Sequence, residues 1–308
     1  MARLAFLGSP TAAAVCLDAL VRAGHDVVLV VSRADTRRGR GADRSPSPVK
    51  RLALHLGVAV TDHLADVTES GAELGVVVAY GRIVPAPVLA VLPMVNVHFS
   101  LLPRWRGAAP VERALLAGDE DTGVCLMRLE QGLDTGPVLA SQRVPIEPHE
   151  HAAALTNRLA VVGARLLVDA LVDGVDALAP GDPQQGEPTY AAKIDPDELR
   201  LDWSRPAAEL ERLTRLDRAW TTFRGGRLRV LDARARPRLA GEGPGEAAAG
   251  SAPAVPGTMV GTAVVTGAGV LDLLDVQPAG KRPMPATAWL QGARPRPGER
   301  LGGEEPGR

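Results

Sequence analysis

The chain has 308 residues, 45% of them hydrophobic, and a formal net charge of −1. That length predicts two domains, and that apolar share excludes wholesale disorder. No run approaches the ~18 uninterrupted apolar residues of a membrane span. The opening MARLAFLGSP reads as a strand and turn, not a secretion signal. The two cysteines, Cys16 and Cys125, offer neither a disulfide framework nor metal-ligand spacing. A reduced, cytoplasmic protein without a metal is expected.

In chain order, residues 3–7 read as a buried strand ending at the Gly8-Ser9-Pro10 turn. Residues 12–22 form a helix stopped by Gly24, and 27–32 a second strand. A helix over 47–56 has Pro48 near its start and Gly57 after it. Short strands are expected at 58–61, 74–80, 95–100 and 124–129, and a long amphipathic helix at 151–172. This strand–helix rhythm predicts an α/β domain with an open, mostly parallel, Rossmann-like sheet over residues 1–182. Residues 183–205 are polar and turn-rich and read as a linker. A helix at 206–216 precedes short apolar runs at 219–223, 228–233, 257–260, 263–266 and 270–276. Their hairpin spacing predicts a small OB-like β-barrel over 206–308. Residues 236–255 are biased toward Ala, Gly, Pro and Glu and read as a disordered insertion, and the polar tail after residue 294 as frayed.

Asn96 and His98 stand two apart at a strand end, so they point to one face. Polar residues there, after apolar Met94 and Val95, mark the place where open sheets bind ligands. A buried pair tying down a loop is the plainer alternative. Gly132-Leu133-Asp134-Thr135-Gly136 puts a glycine-flanked aspartate at another strand terminus; alone it is a common turn capped by its own side chain. Together the three residues supply an amide donor, an imidazole and a carboxylate. With no activated serine or cysteine, that set suits acyl transfer in which the substrate brings the nucleophile. Donors to a developing oxyanion are worth ~3–4 kcal/mol each. The Gly8-Ser9-Pro10 turn is no dinucleotide fingerprint, so no nicotinamide is expected.

Residues 33–51 carry seven basic side chains, among them Arg37, Arg38, Arg40 and Lys50, against two acids. A second stretch, 205–238, carries ten arginines against four acids. Two basic regions fit a phosphate backbone better than a small anion.

The runs SPSPVK (45–50), VVVAYG (76–81), NVHFSLLPRWRGAAP (96–110), GDEDTG (118–123), GLDTG (132–136) and TYAAKI (189–194) together resemble the methionyl-tRNA formyltransferases. The match holds in order over about residues 3–205 and weakly beyond. The resemblance implies the formyltransferase fold and transfer of a formyl group from 10-formyltetrahydrofolate to the amino group of methionyl-tRNA, in translation initiation. It carries over Asn96, His98 and Asp134 as catalytic residues. Ser100, Leu101, Leu102 and Pro103 would contact folate, with Val78, Tyr80, Gly81 and Gly136 around the same pocket. The loop at Arg37, Arg38, Arg40 and Lys50 would meet the tRNA, as would the C-terminal barrel, in a monomeric enzyme. Two other enzymatic readings keep the same set, and a third reading, of another class, requires it broken. One is formyl transfer to a small amine such as a nucleotide sugar or glycinamide ribonucleotide. Another is release of formate, and the third is an inactive RNA-binding paralogue.

Overall fold

A computed structural model of the chain describes residues 1–37, 44–238 and 255–303. They gather into two compact units. One comprises Met1–Ala114, Asp119–Glu147 and Ala154–Lys193; the other comprises Leu115–Gly118, Pro148–Ala153 and Ile194–Arg308.

In the first unit, β1 (Arg3–Gly8), α1 (Thr11–Arg22) and β2 (Asp26–Val31) alternate as the apolar rhythm predicts. A two-residue ladder, β3 (Thr36–Arg37) on β4 (Arg44–Ser45), closes the base of the basic loop. Helix α2 (Pro48–His55) starts at Ser47, whose Oγ accepts the Lys50 N–H at 2.9 Å. Then follow β5 (Val60–Thr61), β6 (Leu74–Val78), α3 (Ala86–Val91), β7 (Met94–His98), β8 (Arg106–Gly107) and α4 (Pro110–Ala117). The unit continues with β9 (Asp121–Arg128), β10 (Val138–Pro145), α5 (Ala152–Ala170) and β11 (Tyr190–Ala191). The sheet order is β10-β9-β7-β6-β1-β2-β5. It is parallel from β5 to β7, while β9 runs antiparallel to both β7 and β10. The central strands β6 and β7 are buried at every residue; β6 reads as a continuous apolar run, whereas β7 buries two polar side chains, Asn96 and His98. Helix α5 crosses β7 at Gly163, where an added Cβ would stand 2.6 Å from Val97 Cγ1. The sequence reading passed over α3, α4 and β10. Edge strand β10 buries one residue of eight, Val144, so it lacks the apolar signal of a central strand.

The second unit holds α6 (Ala207–Thr214), β12 (Trp220–Phe223), β13 (Gly226–Arg236), β14 (Met259–Val260), β15 (Ala263–Val265), β16 (Val270–Pro278), β17 (Met284–Pro285) and α7 (Ala286–Ala293). Its sheet is antiparallel throughout, in the order β12-β13-β16-β15-β14 with β17 on β16. Leu210, Leu228, Val264, Leu271 and Trp289 fill its core. The expected barrel is not closed among the described strands, because β12 and β14 do not pair. The chain after α7 spans their two edges instead. Gly302 N–H donates to Thr222 O at 2.9 Å, Leu301 N–H donates to Gly257 O at 2.8 Å, and Met259 N–H donates to Glu299 O at 3.0 Å. The tail as far as Gly303 is therefore held rather than frayed, with Leu301 1% exposed. Most of the insertion read at 236–255 lies outside the described residues.

The segment read as a linker divides in two. Its first part joins the first unit through β11, which pairs with β8. Its second part buries Leu199, Leu201 and Trp203 in the C-terminal unit. Apolar side chains spaced two apart, not the polar average, decide the second part's fate.

Candidate active site

Asn96 and His98 share one face of β7 and are 8% and 5% exposed. Among the described residues no hydrogen bond occupies the Asn96 amide. His98 Nε2 lies 2.9 Å from the Trp105 carbonyl oxygen. A carbonyl only accepts, so Nε2 carries the proton and Nδ1 of the neutral ring is bare. That Nδ1 faces Asp134 Oδ2 at 3.7 Å.

Asp134 arrives by a route that strand order alone does not suggest. Because β9 is antiparallel to β7, its exit lies level with the start of β7, and Leu129 N–H donates to Met94 O at 2.8 Å. His98 is four residues further along, ~13 Å at strand rise. The 129–137 loop doubles back to cover that distance. Asp134 sits at φ +49°, and a Cβ on Gly136 would stand 2.1 Å from Arg128 O. The carboxylate accepts the Gly107 N–H on Oδ2 at 2.8 Å.

Residues 104–107 thus touch both His98 and Asp134, Trp105 through its carbonyl and Gly107 through its N–H. This strap is itself fixed. Asp119 accepts Arg104 Nε at 2.9 Å and Nη2 at 2.6 Å, and the Trp105 indole N–H at 2.8 Å. That pairing holds the Arg104 guanidinium above its ordinary pKa. The guanidinium carbon also lies 4.6 Å from the Trp105 ring centre. Thr189 Oγ1 accepts the Trp105 N–H at 2.9 Å. Motif reading had singled out neither Asp119 nor Thr189 by role, although both lie in the GDEDTG and TYAAKI runs.

Ser100 is fully buried and donates to Arg104 O at 2.5 Å, so its hydroxyl shapes the loop from within. Leu101, Leu102 and Pro103 are half-buried. The Leu102 N–H reaches Cys125 Sγ at 3.3 Å, and Cys125 is the register partner of His98. Burial raises the Cys125 thiol pKa, while the Leu102 N–H opposes the rise. Val78 pairs with Val97, which sets the 78–81 turn beside the end of β7. Ala79 at φ +45° and Gly81 at φ +76° turn the chain there. Among the described residues the buried Tyr80 hydroxyl has no hydrogen-bond partner of normal geometry, although Arg82 lies close enough to act on it. Burial pushes its pKa up, and the Arg82 guanidinium, 5.8 Å from the ring centre, pulls it down.

The basic residues fare differently. Lys50 Nζ is paired with Asp35 Oδ1 at 2.9 Å. Arg37 lies in β3, and Arg38 and Arg40 lie outside the described residues.

The formyl transferase family model matches residues 2–171, and the formyl transferase C-terminal domain model matches residues 193–294. The methionyl-tRNA formyltransferase of Thiobacillus denitrificans is 41% identical, over 97% of this chain and 99% of that protein. That of Thermus thermophilus is 43% identical, over 97% and 99%. Among solved structures, an N-formyltransferase from Helicobacter canadensis, in complex with folinic acid and dTDP-3-aminofucose, superposes with a TM-score of 0.65 at 15% identity. The match covers 89% of this chain and 99% of that one, and it shows a shared fold. Matched over both of its units and to full-length relatives, the chain belongs to the formyl transferase family, among the methionyl-tRNA formyltransferases.

Proposed function

We propose that this protein transfers the formyl group of 10-formyltetrahydrofolate to the α-amino group of methionyl-tRNA, with Asn96, His98 and Asp134 as the reacting side chains. The observation that carries the site is the His98 ring held on Nε2 by the Trp105 carbonyl, with Nδ1 turned to Asp134. The folate donor supplies the formyl carbon. As the amine attacks that carbon, negative charge grows on the formyl oxygen, and the unpartnered Asn96 amide donates to it. His98 takes up the amine's proton on Nδ1 and returns it to the donor's N10 nitrogen as the bond between that nitrogen and the formyl carbon breaks. The resulting imidazolium lies against the Asp134 carboxylate.

Folate fits the surrounding residues on chemical grounds. A pterin edge needs backbone and hydroxyl partners, and the buried Tyr80 hydroxyl makes no hydrogen bond of normal geometry among the described residues. Val78, Tyr80, Gly81, Leu101, Leu102, Pro103 and Gly136 are the residues assigned to it, with Ser100 supporting the loop. Arg37, Arg38, Arg40 and Lys50 are assigned to the tRNA. The reaction is placed in the cytoplasm, and no helix among the described residues is long and apolar enough to cross a membrane.

The test is to offer labelled formyl donor with charged initiator tRNA, a nucleotide amino sugar and glycinamide ribonucleotide. Label should appear on the methionyl amine. Label on a small amine, or free formate alone, would overturn the assignment. Asn96→Ala, His98→Ala and Asp134→Ala should each lower kcat at least ~100-fold, the scale of one lost transition-state donor, with folding intact by circular dichroism. Near-normal turnover in these variants would remove them from the chemistry.

A further inference from the structure

Gln184 lies in the polar stretch after the catalytic sheet, 50 residues from Asp134 and 78 from Arg106. Its side chain is half-buried, and all of its hydrogen-bonding capacity is used. Nε2 donates to Asp134 O at 2.9 Å and to Gly136 O at 2.8 Å. Oε1 accepts Arg106 Nε at 3.0 Å and Nη2 at 2.7 Å. A primary amide has two donors and two acceptor lone pairs, so nothing is left over. The orientation is also unique. Flipping the amide would set its N–H groups against a guanidinium and its oxygen against two carbonyls.

We infer that Gln184 is a positioning residue for Asp134. It ties the backbone of the Asp134 turn to the strand whose next residue, Gly107, grips the Asp134 carboxylate. Asp134 needs such a tie because φ +49° is disfavoured for a side chain with a Cβ. The neighbouring Trp105 carbonyl holds His98 in turn, so the amide sets imidazole and carboxylate against one frame. Glutamine suits this place as no carboxylate does: glutamate would keep the acceptor for Arg106 but turn an oxygen toward two carbonyls.

The inference rests on the reading of Asp134 as catalytic, and the experiment separates the two. Steady-state kinetics on charged tRNA and formyl-folate are measured for Gln184→Met, Gln184→Glu and Asp134→Asn, with single-turnover rates for the Asp134→Asn/Gln184→Met double variant. Gln184→Met keeps the side chain's length and loses all four bonds; Gln184→Glu loses only the two donors. Both should lower kcat at least tenfold, leave both KM values within twofold and leave the melting curve in place. In the Asp134→Asn background, Gln184→Met should cost less than a further twofold, because the group it positions is gone. Three results overturn the inference: unchanged kcat in both variants, full additivity in the double variant, or an effect confined to the folate KM. If Asp134→Asn itself turns over normally, the catalytic reading fails, and this inference fails with it.

Discussion

Gly107 sits at φ +121°, and an added Cβ would stand 2.9 Å from the Ala191 carbonyl oxygen. Both facts exclude a side chain, while the residue's N–H holds Asp134. Gly107→Ala should cost about 1–3 kcal/mol in stability, the scale of a strained backbone position. It should also lower kcat at least tenfold by moving the donor; urea unfolding and single-turnover formylation check the two effects. A variant with lost stability and intact kcat would show that the Asp134 carboxylate finds its place without Gly107. Asn96 and His98 were legible as a pair because a strand repeats every two residues. Asp134 was legible because flanking glycines mark a turn that needs freedom. The groups that orient them were not. The Trp105 partner of His98 is a backbone carbonyl, which every residue has, and Asp119 and Gln184 act across 14 to 78 residues of sequence.

Among the elements, α5 and β7 show how packing guards the site. Gly163 on α5 leaves room for Val97, between Asn96 and His98 on β7, and a Cβ there would also come within 3.3 Å of Val124 Cγ1 on β9. Gly163→Ala should overpack this contact at a cost of about 1–3 kcal/mol. Because the displaced strand carries His98, kcat should fall with the melting temperature. An alanine variant as stable and active as the parent would mean that α5 can ride outward without disturbing β7. Strands β1, β2, β6 and β9 could be read in advance from their apolar runs, and β7 from its apolar start and the spacing of Asn96 and His98. Strand β10 lies at the sheet edge with one buried residue, and helices α3 and α4 span only six and eight residues, so each gives a short signal.

For the whole molecule, the charge distribution is the feature most changed by folding. Of the ten arginines in 205–238, Arg205, Arg224, Arg234 and Arg236 are bound to Glu209, Glu299, Asp232 and Asp272. Arg229 is engaged by Gln277 and the Asp217 carbonyl, and Arg215 by the Glu150 carbonyl. Two of these carboxylates, Glu299 and Asp272, come from outside the stretch, so its charge excess overstates the field it presents. If the 33–51 stretch meets the tRNA as proposed, it is expected to supply the larger share of the salt-sensitive binding. Arg40→Ala should raise KM for charged tRNA and reduce the slope of log affinity against log salt by ~1, with the folate KM barely moved. An unchanged slope would make that loop a solvated surface run.

The sequence by itself determined the α/β class, the order of the strands' apolar runs and the family, and it singled out Asn96, His98 and Asp134 as candidates, because each depends on local periodicity or on contiguous motifs. Tertiary structure alone decided three things. It left the C-terminal sheet open between β12 and β14, with residues 299–303 hydrogen-bonded to both edges, and strand length does not encode that. It brought Asp134 back along an antiparallel strand to His98. It also divided the polar stretch after residue 182 between two units and made Gln184 part of the site. Each of these rests on hydrogen bonds between residues far apart in the chain. A backbone group or a polar side chain gives no sign of its distant partner until the chain has folded.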